Sequence, residues 1–135
     1  MKITADTDLL VRVIVRDDVI QAKAALDVLE NAELVVISPI CFCEFVWVLD
    51  RVYGLPRDSV ALSVRAVMDR ANVVTDTVAL AAGLRMLDAG GDFADGVIAA
   101  AGADMGGETF VSFDKKAIAR LGAVGIPAKH ASELV

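Results

Sequence analysis

Asp92 and Asp95 stand three residues apart in Gly91-Asp92-Phe93-Ala94-Asp95-Gly96, ahead of the small apolar run Val97-Ile98-Ala99-Ala100-Ala101. By themselves they read as a helix start, with Asp92 as N-cap and Asp95 in the first turn, both favoured by the helix dipole. For chemistry, other acids must arrive at the same place, and three candidates offer themselves. Asp6 follows an apolar stretch and precedes Leu9-Leu10-Val11. It can cap a helix or bind a ligand, and Asp8 can share either role. Asp114 ends Thr109-Phe110-Val111-Ser112-Phe113 and has the same two readings. Ser112, two residues earlier, points to the same side of an extended chain and can hydrogen-bond a water or a phosphate. Glu44 sits among Ile40, Cys41, Phe42, Cys43, Phe45, Val46, Trp47, Val48 and Leu49. A helix apolar all round is expected to be buried, so Glu44 must be ion-paired (with Arg51 or Arg12), protonated or metal-bound. Carboxylates that converge without a cation repel and raise each other's pKa. A cluster of hard oxygen ligands suits Mg²⁺, with Mn²⁺ as its substitute.

The rest of the composition narrows the chemistry. The single histidine, His130, lies near the C-terminus, which disfavours histidine acid–base catalysis and His-rich zinc sites. A net charge of −6 does not attract nucleic acid by its general field, so a polyanionic substrate requires a basic rim or bound cations. Apolar residues make up 56% of 135 residues, enough for one domain with a substantial core and a sheet largely buried on both faces. No run approaches the about 20 apolar residues of a membrane span, and Asp6 and Asp8 break any signal-peptide pattern. Cys41 and Cys43 are too closely spaced for a relaxed disulfide. They read as small buried residues of a cytoplasmic protein.

Strands and helices alternate along the chain. The pattern predicts strands at 2–5, 34–37, 73–74, 109–113 and 126–129. It predicts helices at 9–15, 17–29, 38–53, 56–70, 76–89, 92–103 and 115–121. Gly54 and the Gly90-Gly91 pair serve as stops. This alternation implies an α/β fold with a parallel sheet, in which ligands bind beyond the carboxyl ends of the strands. Asp6 and Asp114 fall at such ends.

Taken in order, Ile3-Thr4-Ala5-Asp6-Thr7-Asp8-Leu9-Leu10-Val11-Arg12, Ile37-Ser38-Pro39 with Glu44, Asp92-Phe93-Ala94-Asp95 with Ile98-Ala99-Ala100, and Ser112-Phe113-Asp114 resemble the PIN-domain family. Within it they are similar to the VapC-type toxins of bacterial toxin–antitoxin pairs. The resemblance covers essentially the whole chain, as a single domain over 1–135. It implies a three-layer α/β/α fold with a twisted parallel sheet of four to five strands flanked by helices. It also implies metal ligands at Asp6, Glu44, Asp95 and Asp114, support from Asp92, RNA as substrate, a homodimer and a small antitoxin partner. Asp8 stands where many relatives carry Asn and adds negative charge near the site. Ser112 stands where they often carry Thr and keeps the hydroxyl.

The activity so implied is Mg²⁺-dependent endoribonuclease cleavage. The ion makes a nucleophile of water without histidine and neutralises the phosphate, leaving 5′-phosphate and 3′-hydroxyl ends. Arg12, Arg16, Arg85, Lys115 and Lys116 are candidate phosphate contacts, or each is solvated helix surface. The apolar side chains Phe42, Phe45, Trp47 and Val48 are either a groove for an amphipathic antitoxin helix or core. Two alternatives belong to other classes. A receiver-like phospho-switch also gathers acids at strand ends, but it needs an adjacent acid pair after the first strand and leaves Glu44 unexplained. A catalytically inactive PIN-like binding module would have no reason to keep every acid.

Overall fold

Short β-branched runs separated by well-capped helices fold the chain into two compact units, Met1–Asp76 and Thr77–Val135. The computed structural model describes every residue, Met1–Val135. The first unit contains β1 (Lys2–Thr4), α1 (Thr7–Ile14), α2 (Val19–Asn31), β2 (Leu34–Val36), α3 (Pro39–Trp47), α4 (Arg57–Met68) and β3 (Val73–Val74). The second contains α5 (Thr77–Asp88), α6 (Phe93–Asp104), β4 (Phe110–Ser112), α7 (Lys115–Ala123), β5 (Ala128–His130) and a closing 3₁₀ turn, Ala131–Leu134. All helix and strand assignments expected from the sequence are present, with ends shifted by a few residues. No helix is long and apolar enough to cross a membrane.

Every strand pairing is parallel, as the intervening helices require. The first unit orders its strands β1-β2-β3, with Ile3 opposite Val35 and Val35 opposite Val73. The Ala5 amide donates to the Val36 carbonyl at 2.9 Å and carries the ladder to the residue before Asp6. The second unit pairs β4 with β5, placing Ser112 opposite His130. The five expected strands therefore form ladders of three and two, where the sequence suggested one continuous sheet. Burial on both faces is also incomplete. Val35 is fully buried, but Val36, Val74 and Val111 are exposed. Strands of two or three residues alternate faces before they can be covered on both.

Leu10, Leu29, Ile37, Phe42, Phe45 and Leu49 fill the core of the first unit. The α3 helix begins at Ser38, whose hydroxyl accepts from the Cys41 amide at 3.2 Å, with Pro39 in the first turn. Beyond Trp47 it widens into a π-helical turn over Val48–Val52 before Gly54, at φ +63°, ends it. Thus the single helix expected to reach Tyr53 changes its winding near the end.

In the second unit, α5 and α6 form a tight hairpin around Gly83 and Gly96. A Cβ on Gly96 would lie 2.5 Å from the Ala82 carbonyl oxygen, so only glycine allows this approach. Phe93 packs on Gly83 from the first turn of α6. The Arg120 guanidinium donates to the Ala89 carbonyl at 2.8 Å, tying α7 to the turn that leads into α6. Together these contacts fix the start of α6, where Asp92 and Asp95 lie.

Candidate active site

Asp6 stands two residues past β1 and caps α1. Its Oδ1 accepts from the Asp8 amide at 2.7 Å and from the Leu9 amide at 3.3 Å, leaving Oδ2 without a protein donor. The first turn of α1 then offers Thr7, whose hydroxyl donates to Glu44 Oε2 at 3.0 Å and approaches the Cys41 sulfur at 3.9 Å. Asp6, Thr7, Asp8, Ser38, Cys41 and Glu44 line one open cavity of about 520 Å³. Burial raises the Cys41 thiol above its usual range. The Thr7 hydrogen bond opposes that rise, and the negative charges of Asp6 and Glu44 add to it. Cys41 thus lines the cavity with its thiol biased towards the neutral form. Asp8 and Arg12 line a neighbouring open depression of about 530 Å³ beside α2.

Glu44 does not occupy the environment its neighbours suggest. It is exposed, and no charged residue of the chain is fully buried. The α3 helix buries Cys41, Phe42, Phe45 and Val46, while Ile40 (72% exposed) and Trp47 (59%) flank Glu44 on the outer side. An apolar composition all round a helix thus concealed a wet face made partly of apolar residues. Neither proposed ion pair forms: Arg12 pairs with Asp17 at 2.8 Å, and Arg51 approaches its neighbour Asp50 at 3.4 Å. Phe42 and Phe45, packed edge to face at 6.3 Å, are core, so of the aromatic groove candidates only Trp47 remains accessible.

The second unit repeats the first device. Asp114 lies two residues past β4 and caps α7. Its Oδ1 accepts from the Lys116 amide at 3.0 Å and from the Ala117 amide at 3.1 Å. Ser112 Oγ accepts from the Asp114 amide at 2.9 Å, so it shapes this turn and keeps its own hydroxyl hydrogen free for a ligand. Asp92 holds the N-cap position of α6, yet its carboxylate makes no capping hydrogen bond, contrary to the cap role expected for it. Asp95, in the first turn, is half-buried. Partial burial, then the like charges of Asp92 and Asp114, push its carboxyl above the ordinary range. Asp92 and Asp114 thus lie near enough to disfavour the charge of Asp95. Among the candidate cations, Arg12 is half-buried in its Asp17 pair, whereas Arg16, Arg85, Lys115 and Lys116 are exposed.

The candidate ligands are therefore placed as two acidic sets, Asp6 with Glu44 and Asp95 with Asp92 and Asp114. In neither unit are three His, Cys, Asp or Glu side chains drawn together into a ready-made metal cage. The donor chemistry still fits a hard divalent ion, because Mg²⁺ keeps several waters and needs only one or two protein carboxylates. Thr7 is the site residue that the sequence reading passed over. Its signal was its place in the Asp-Thr-Asp turn, where a hydroxyl next to an N-cap faces whatever packs on the helix start.

The chain is a parallel α/β protein with acids just past its strand ends, the edge at which such folds bind ligands. The family model for the PIN domain matches residues 3–124, and the chain belongs to that family. PIN domains are generally nucleases that use divalent metals, which makes this chain a hydrolase acting on nucleic acid. No curated protein matches it.

Proposed function

We propose that the chain is a Mg²⁺-dependent endoribonuclease, the toxin of a VapC-type toxin–antitoxin pair, acting in the cytoplasm as one PIN domain over 1–135. The observation that carries this reading is the doubled strand-end aspartate. Asp6 and Asp114 each give one carboxylate oxygen to a helix start and keep the other available. We assign metal binding to Asp6, Glu44, Asp95 and Asp114, with Asp92 and Asp8 as supporting charge. When bound, Mg²⁺ supplies charge neutralisation at the phosphodiester and an acidified water. The chain does the rest. The two caps tie Oδ1 of Asp6 and of Asp114 to backbone amides. Thr7 orients Glu44 through Oε2, and Ser112 sets the turn that carries Asp114. Lys115, Lys116 and Arg85 are exposed and can meet phosphates that the net negative chain would otherwise repel. Exposed Ile40, Trp47 and Val52 support a docking surface for an antitoxin helix, and we expect a homodimer. Receiver chemistry finds no support in the family match.

The test is cleavage of total bacterial RNA by the purified chain. Mg²⁺ or Mn²⁺ should yield fragments with 5′-phosphate ends, and EDTA should stop the reaction. Unaltered RNA with both ions would refute the proposal.

A further inference from the structure

We propose that Phe113 is a stacking platform that seats one nucleobase of the single-stranded RNA beside Asp114, an inference that rests on the ribonuclease reading above. Phe113 is 78% exposed, although it lies between the strand β4 and the cap residue of α7. A large aromatic ring left in water at this point serves no core. It is nonetheless held. The His130 ring meets it at a centroid distance of 5.6 Å and an interplanar angle of 85°. His130 is itself fixed: it pairs across the ladder with Ser112, and its Nδ1 accepts from the Ser132 amide at 3.2 Å. A T-shaped contact of this kind leaves at least one broad face of Phe113 open.

The neighbours suit a nucleotide. Asp114 follows directly, and Lys115 and Lys116 come next, a basic pair in a chain of net charge −6. Lys115 shares an open depression of about 460 Å³ with His130, Ser132 and Glu133. A base on Phe113 would therefore bring its strand close to Asp114 and the two exposed lysines. Proteins that read single-stranded RNA splay bases onto aromatic faces in this way, and stacking tolerates any base. Phe113 is accordingly a positioning residue, acting on where the strand lies.

The test uses fluorescence anisotropy of a labelled uridine hexamer RNA in Ca²⁺, with a matched strand whose bases are replaced by abasic ribose. Wild type should bind the intact hexamer about tenfold more tightly than Phe113→Ala does. Phe113→Tyr and Phe113→Trp should restore the affinity. The abasic strand should bind wild type and Phe113→Ala alike, because only the base is lost. Phe113 is exposed, so all three variants should melt as wild type does. Equal affinity of wild type and Phe113→Ala for the intact hexamer, or loss that neither aromatic variant restores, overturns the stacking role alone. A wild type that binds neither strand and cuts no RNA overturns the ribonuclease reading with it.

Discussion

Asp6 with Glu44, and Asp114 with Asp95, are built on the same plan but left in different electrostatic states. Each pair begins with an aspartate two residues past a parallel strand, anchored by Oδ1 to the amides of the next helix. The partner acids differ. Glu44 is exposed and receives a hydroxyl hydrogen bond from Thr7. Asp95 is half-buried beside two further carboxylates and pushed toward protonation. A neutral donor orients one acid, whereas partial burial and then the neighbouring carboxylates penalise the charge of the other. The first arrangement settles geometry without a cation. The second is relieved by one, so a cation should stabilise the Asp95 group more than the Glu44 pair.

The strongest challenge to this contrast removes one acid from each set. Asp6→Asn and Asp95→Asn should each lower RNA cleavage by more than about a hundredfold, beyond the range of outer-shell partners, as measured by initial rates in Mg²⁺. Gly96→Val tests whether the α5–α6 hairpin holds Asp95 in place. Its Cβ alone meets the Ala82 backbone, and unfolding in urea should show a loss of about 1–3 kcal/mol. Thr7→Val asks whether Glu44 is oriented by its hydrogen bond. Cleavage should fall about tenfold, with Thr7→Ser close to wild type.

The smallest effect is the pH dependence of stability. The raised Asp95 carboxyl favours its protonated form in the folded chain. Its stabilising contribution is full below the unfolded value and is lost as pH rises through the folded one. In EDTA near neutral pH, Asp95→Asn should therefore melt above wild type, and the gap should close on acidification. A variant that melts below wild type at neutral pH would remove the argument that burial and neighbouring charge disfavour the ionised Asp95.

Much of this was legible in the residues because caps are local signals. Asp6, Asp18, Ser38 and Asp114 all occupy the helix starts their types favour. Val35 and Val73 mark strands by β-branching and pair in register. Three features were not legible, because each depends on tertiary placement that local sequence does not name. Ile40 and Trp47 look like core and are surface, which made Glu44 seem buried. Asp92 has the type and position of a cap, yet its carboxylate makes no bond to the helix. The division of five strands into ladders of three and two likewise depends on pairing partners that no local pattern names.

The double duty of Asp6 and Asp114 has a consequence for inheritance. Asparagine caps a helix about as well as aspartate, so either position can lose its charge and keep its fold. Aspartate and asparagine codons differ by a single base. One transition at either codon is therefore expected to give a protein that still folds but carries one carboxylate fewer past its strand end.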